Sequence, residues 1–266
     1  MSGRIHPTAV VELGARLGSA VEVGPLAYVG GDVELGNGSV VLAQATVLGP
    51  ARIGDRCTIH PHAVVGGAPQ DRSYAGEPTT LEVGNDNVFR EHVTVHRGTV
   101  KGGGSTRIGS RCLLMAGAHV AHDCQLGDDV VMTNLTILGG HVRVENNVVC
   151  GGQVAVAPFV RLGRGCFVAG GAMVERDVPP FVIVAGDRAR VRALNRVGLE
   201  RMGVPSASRS ALRRAFRAIW MGSDPIAVGL ARAEKRAGND LYVRQLLEYL
   251  RERIPASRLE QSSESR

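Results

Sequence analysis

Three ionisable residues crowd into five positions of AHVAHDCQLG (118–127): His119, His122 and Asp123. An imidazole beside a carboxylate is the arrangement that lets histidine work as a base near neutral pH, because the carboxylate fixes the tautomer and supports the imidazolium that forms. Such a pair suits general-base chemistry. Neighbours in a strand point to opposite faces, so Asp123 reaches His122 only if the chain turns there. The surrounding chain is Val, Gly, Ala and Leu, and something in that apolar run must position the polar groups.

A six-residue frame does so. From Ile5 the chain reads IHPTAV, VELGAR, LGSAVE and onward to VGGAPQ (65–70); the frame resumes at Val83 and at Ile108 and runs to Pro179. All 26 first positions are apolar, and the fifth is Val, Ala, Thr, Ser or Cys in 24, with Pro69 and Asn87 the exceptions. Period six is neither the 3.6 of a helix nor plain strand alternation. It fits short strands joined by regular turns, with one aliphatic and one small side chain of each hexad pointing inward. Three hexads close a triangular coil, and coils stack about 4.8 Å apart. The 35 glycines and 4% aromatic content agree with tight turns around a thin aliphatic interior. Cys57, Cys112, Cys124 and Cys166 occupy fifth positions and Cys150 a first, which makes them core fillers; without a CxxC pair neither a disulfide framework nor a zinc knuckle is supported.

Eighteen residues per coil give the vertical neighbours. Hexads starting at Val65, Val95, Val120 and Leu138 stack on one face, and the frame breaks after the first two, at 71–82 and 101–107. Both insertions leave one corner, where a regular solenoid carries function or oligomer contacts. His122 falls at that corner with Arg97 below and Gly140 above, and Asp123 has His141 above it. His62 and His92 also stack on each other, and His6, His60 and His96 occupy turns. The convergence of Asp123, His119, His141 and both loops sets His122 apart.

Charge separates the tail from the coils. Residues 188–266 hold 17 Lys+Arg against 8 Asp+Glu, although the whole chain carries only +6. That excess suits phosphates, an acidic carrier protein or an anionic surface, or is simply a solvated face. Nucleic acid is disfavoured, since the few aromatics do not interleave with the arginines. The N-terminus lacks a signal pattern and no window of about 18 apolar residues occurs, so a cytoplasmic protein without integral membrane contact is expected. Helical spacing is read over 190–203, in SRSALRRAFRAIWMG with a serine cap and an apolar stripe through Leu212, Phe216 and Trp220, in DPIAVGLARAEKRAG and in DLYVRQLLEYLRERI. The closing SSESR is expected to be disordered. Two domains follow, coils over 1–187 and helices over 188–266.

The hexads resemble those of the hexapeptide-repeat acyltransferases, which fold as left-handed parallel β-helices. QDRSYAGEP (70–78), REHVTVHRGTVKGGG (90–104), LLMAGAHVAHDC (113–124) and DVPPFVIVAGD (177–187) are similar to the UDP-N-acetylglucosamine O-acyltransferases of lipid A biosynthesis. The resemblance implies a homotrimer with sites between neighbouring β-helices, moving a 3-hydroxyacyl group from acyl carrier protein to the 3-hydroxyl of UDP-N-acetylglucosamine. It implies His122 as general base, Asp123 orienting it and the Gly140 amide as oxyanion donor. It places Asp71, Gln70 and His141 on the sugar nucleotide, His119 in the site, and Asn195 and Arg201 near the thioester donor or the phosphates. Gly170 falls where acyl length is set, and a glycine there suggests room for a longer chain. No metal, cofactor or covalent acyl-enzyme is implied.

The chain departs from the family pattern where Ala157-Pro158 replaces a His-Gln pair, Ser73 a lysine and Met202 an arginine, which puts substrate affinity and acceptor identity in question. An N-acyltransferase relative carries an extra uridine-binding domain, which is not expected here because the repeat already begins at Ile5. Other readings of the scaffold are an acetyl-CoA-dependent sugar acetyltransferase, a metal-dependent hydratase, which needs three histidines converging between subunits, and a non-catalytic repeat protein.

Overall fold

Strands of two to five residues recur at the hexad spacing in the computed structural model, which describes residues 3–236 and 238–253. All but the last pair in parallel with the strand one coil away: Thr58–Ile59 lies between Val40–Val41 and Val88–Phe89. The described strands form three sheets, the faces of a triangular prism. On the second face Val65 pairs with Val95, Val95 with Val120 and Val120 with Leu138, the register that the eighteen-residue count gives once the insertions are removed.

First-position side chains fill the interior. Ile59, Phe89, Leu114, Met132, Cys150 and Val168 make one buried column, and Ile5 is exposed because no coil covers it. All five cysteines are buried and free. Asn87 is accommodated because its amide donates to Gly84 and Gly109 carbonyls while its oxygen accepts the Cys112 N–H. Many corners pass through one residue of positive φ, most of them not glycine, including Leu26, Gln44, His62, His92, Asp123, Leu135 and His141. Left-handed backbone costs a non-glycine residue about 1–2 kcal/mol, and the ladders on either side hold it there.

The outward side chains differ by face. The third presents Arg16, Glu34, Arg52, Glu82, Arg107 and Arg143 in register, with ion pairs Arg16–Glu34, Arg52–Glu34 and Arg107–Glu82 from coil to coil. The first presents Val88, Leu113, Val131, Val149 and Phe167. The second presents Thr94, His119, Ile137, Ala155 and Met173.

The tail differs from expectation at its start. Val182–Ala185 extends the first face, and Arg190–Leu194 returns antiparallel to it, so residues 190–194 are strand rather than helix. The reason is a period of two, exposed Arg190 and Arg192 alternating with half-buried Val191 and Ala193 ahead of buried Leu194. Helix α1 is Arg196–Arg201, capped by Asn195, whose side chain accepts the Gly198 N–H. Helices α2 (Ser206–Trp220), α3 (Ile226–Glu234) and α4 (Leu241–Arg253) follow. The serine cap expected for α2 is absent: the helix starts earlier, behind Pro205, and no side chain caps it. Leu212 and Phe216 are buried and Trp220 packs against the core. SSESR lies outside the described residues.

Candidate active site

The chain does turn at Asp123, where φ is 62°. The turn swings its carboxylate back under the corner, sealed from solvent, with Oδ2 2.7 Å from His122 Nδ1. The second loop closes on the same carboxylate. Thr99 donates its N–H to Oδ1 and its hydroxyl to Oδ2, both at 2.7 Å, and the Asp123 N–H donates to Thr106 Oγ1 at 2.8 Å. Gly102 lies so near that a Cβ there would overlap the carboxylate. Four hydrogen bonds therefore fix the acid that orients the base. With Nδ1–H donating to Asp123, Nε2 of His122 is left to accept a proton.

Gly140 stacks on the other side of the ring. A Cβ at this position would lie 2.7 Å from Cε1 and 2.9 Å from Nε2 of His122, so the close approach requires glycine. Gly139 donates to Val156 O at 2.9 Å and His141 to His122 O at 3.0 Å, while the Gly140 amide between them stays out of the ladder. The His141 ring stands perpendicular to His122 at 5.3 Å, its Nε2 3.6 Å from Asp123 Oδ2, and stacks on exposed Phe159 at 4.5 Å.

His119 faces outward one turn before the base, Nδ1 2.7 Å from Thr94 Oγ1. Burial and nearby His122 push its pKa down. His96 meets its edge at 4.9 Å; buried, with Nδ1 unpartnered, it is lowered to about 4 by desolvation, then by His119, His122 and Arg97. Both rings are therefore neutral at pH 7.

The two insertions meet beside this group. Ser73 donates its N–H and hydroxyl to Asp71 at 2.8 and 2.9 Å, holding that carboxyl below its usual range, with smaller contributions from desolvation in the opposite sense and from Lys101 and His122. Lys101 Nζ donates to Ser73 Oγ at 2.8 Å. Arg97 ties the first loop down through Gly66 O at 2.6 Å and Tyr74 Oη at 3.3 Å. Gln70 is exposed at the base of that loop. Thr99, Thr106 and Lys101 were not singled out in the sequence, where Thr99 reads as a small fifth-position filler; its place immediately before an insertion was the available signal.

Other expected site residues lie elsewhere on the protomer. Asn195 is buried two coils further along, at the corner between the third and first faces, where its Nδ2 donates to Gly165 O at 2.9 Å and its oxygen caps α1. Arg201 ends that helix, exposed. Gly170 is exposed at the corner between the first and second faces. Within one protomer these three are apart from His122. Ala157-Pro158 sits above the base, and the Pro158 ring would lie 2.9 Å from a Cβ at Gly139. Ligand atoms of His122, Asp123 and His141 gather within 4.8 Å, but both Asp123 oxygens are already engaged by Thr99 and His122.

A base on an anchored carboxylate, beside a free amide on a three-faced coil of hexads, is the equipment of a hexapeptide-repeat acyltransferase. Family models agree: one described as "Bacterial transferase hexapeptide (six repeats)" matches residues 36–67, and one described as "Udp N-acetylglucosamine O-acyltransferase; Domain 2" matches 177–258. The chain is 40% identical to the acyl-[acyl-carrier-protein]--UDP-N-acetylglucosamine O-acyltransferase of Herminiimonas arsenicoxydans, covering 92% of this chain and 95% of that one. It is 44% identical to the enzyme of the same name from Anaeromyxobacter sp. (strain Fw109-5), covering 93% and 96%. The solved UDP-N-acetylglucosamine acyltransferase from Campylobacter jejuni superposes with a TM-score of 0.87 at 35% identity, covering 92% and 95%. The chain belongs to the UDP-N-acetylglucosamine O-acyltransferase family, and its coils are a left-handed parallel β-helix followed by C-terminal helices.

Proposed function

We propose that this protein transfers a 3-hydroxyacyl group from acyl carrier protein to the 3-hydroxyl of UDP-N-acetylglucosamine, the opening step of lipid A biosynthesis, as a cytoplasmic homotrimer. The observation that carries this reading is the His122–Asp123 pair against the Gly140 amide. His122 Nε2 removes the sugar hydroxyl proton as the oxygen attacks the thioester carbon. Negative charge gathers on the carbonyl oxygen, where the Gly140 N–H serves as donor; one such donor contributes about 3–4 kcal/mol in comparable sites. Collapse breaks the C–S bond, and the imidazolium returns its proton to the departing sulfur as the free carrier thiol. Asp123 stabilises the imidazolium throughout. The sequence of steps closes without a metal, a cofactor or an acyl-enzyme.

The unequal faces support the assembly. The third face is charged and the first two are largely apolar, with Ile137 and Met173 48% and 40% exposed in one protomer. Covering both apolar faces in a closed ring sets the first face of each copy against the second of the next. The cleft then has at its mouth the His122 corner of one copy and the corner bearing Asn195 and Arg201 of the neighbour. Gly170 lies deep in the cleft, three coils or roughly 14 Å above His122, along a strip of Ile137, Ala155 and Met173 that suits an acyl chain. The basic tail suits an acidic carrier protein. Free buried thiols suit a reducing compartment, and among the described residues no helix is long and apolar enough to cross a membrane.

Mass spectrometry of products from UDP-N-acetylglucosamine with a panel of 3-hydroxyacyl carrier proteins, and with acetyl-CoA, tests the proposal. An O-acylated nucleotide sugar from carrier-bound donors alone is expected; acetyl transfer, or no transfer from any donor, overturns it.

A further inference from the structure

From the corner between the two apolar faces we infer a transition-metal site on the three-fold axis, built from His62 and His92 of three copies. The inference rests on the trimeric assembly proposed above. A ring of three prisms can bury two faces of each only if the corner joining those faces points at the axis. The chain crosses that corner through a column that includes Leu26, Gln44, His62, His92, Leu135 and Gln153, all with φ between 57 and 64°. Leu26 and Leu135 are 61% and 52% exposed in the single protomer, as expected for side chains that meet their own copies.

His62 and His92 occupy successive coils in this column. Their rings stack at 5.0 Å with planes 8° apart, both exposed, and neither makes a hydrogen bond to the described residues. Two parallel imidazoles with unpartnered nitrogens are well placed to act as nitrogen ligands. Three-fold symmetry turns each into a ring of three. Three imidazole nitrogens with a water in the fourth position form a tetrahedral zinc site, at Zn–N distances of about 2.0–2.1 Å. The two rings lie one coil apart, close enough for mutual repulsion of two divalent ions, so a single ion per trimer is expected. Around it His60 Nδ1 contacts Glu91 at 3.2 Å, and Arg90 pairs with the same carboxylate at 3.0 Å. That carboxylate, one residue from His92, can orient the ligands through the neighbouring copy. The ion would fasten the assembly and take no part in acyl transfer.

The test uses the full chain stripped with chelator and then titrated with Zn²⁺ alone, following stoichiometry by calorimetry and mass by analytical ultracentrifugation. The expected result is one Zn²⁺ per three chains in the wild type and loss of that ion in the His62→Ala/His92→Ala variant, with acyl transfer retained and the trimer more easily dissociated by dilution. A trimer that binds no Zn²⁺ overturns the metal site and leaves the assembly standing. Binding that persists in the double variant, or reaches one ion per chain, also overturns it and assigns the ion to His122, Asp123 and His141. A monomer in both metal-free and Zn²⁺-loaded protein overturns assembly and site together. Co²⁺ in place of Zn²⁺ gives a second reading, since a tetrahedral site shows strong visible absorption that the double variant loses.

Discussion

Asp123 Oδ2 lies 2.7 Å from His122 Nδ1 although the two residues are adjacent in the chain. A regular strand would hold them on opposite faces; the positive φ of Asp123 brings them together, and Thr99 and Thr106 secure the turn. Base and anchor should therefore fail differently. His122→Ala is expected to lower kcat by about 10²–10⁴-fold with KM and Tm nearly unchanged. Asp123→Ala leaves the Thr99 amide without its acceptor, at a cost of about 1–3 kcal/mol, and should lower both kcat and Tm. Steady-state kinetics beside thermal melts separates the two; a His122 variant with undiminished turnover would place the base elsewhere.

Gly140 has an ordinary backbone conformation, so alanine is tolerated there by φ but not by the His122 ring, which a Cβ would meet at 2.7 Å. Gly140→Ala is expected to fold normally, displace the imidazole, and reduce kcat by about 10²-fold, the usual effect of an ångström of misplacement. Circular dichroism with single-turnover kinetics checks it. A fully active variant would show that the ring does not pack on this glycine during turnover.

The family resemblance expects a lysine at position 73, where this chain has serine, and Lys101 Nζ reaches Ser73 Oγ from the other loop at 2.8 Å. The same cation is thus delivered from a different stretch of chain. A charged hydrogen bond is worth about 1.5–3 kcal/mol, so Lys101→Gln should raise KM for the nucleotide sugar by roughly ten- to a hundredfold. Adding Ser73→Lys to that variant should restore most of it. Unchanged KM in Lys101→Gln, or no recovery in the double variant, would make the lysine a bystander.

The solenoid was legible because its signal is repeated: each hexad states the same inward pair, and an error in one is corrected by the next. The same arithmetic placed Gly140 over His122 and His141 over Asp123. What it could not give is which way a corner residue turns its side chain, and that decides whether Asp123 meets His122. Thr99 and Thr106 were illegible for a related reason, since a loop's closure depends on contacts outside the period. In the tail no period corrects mistakes, and the alternation at Arg190–Leu194 was outweighed by helical spacing downstream.

The apolar strip on the second face gives the assembly its own test. Ile137 is 48% exposed in one protomer and pairs across the second face with His119. A carboxylate there would have to be desolvated against the first face of a neighbour, which is costly without a partner charge. Ile137→Asp is expected to convert trimer to monomer in light scattering, with the circular dichroism of the coils intact and acyl transfer lost. Arg143→Asp on the charged third face should leave the mass unchanged. Full activity in a monomeric variant would overturn a site shared between copies.

His96 makes stability depend on pH in a definite direction. Its folded pKa is about 4 against 6.5 for a free imidazole, mainly because burial disfavours the cation. Between those values the unfolded chain holds a proton that the folded chain refuses, so stability rises with pH across this window and is lost as pH falls from 6.5 toward 4. His119, lowered for the same reason, acts in the same sense. One such group contributes a slope of at most about 1.4 kcal/mol per pH unit. Replacing His96 by Asn, which does not titrate, should flatten the plot of unfolding free energy against pH within that window and leave it unaltered above pH 7. Urea titrations at half-unit steps would show this, and an identical slope in the variant would mean that His96 is not the group taking up the proton.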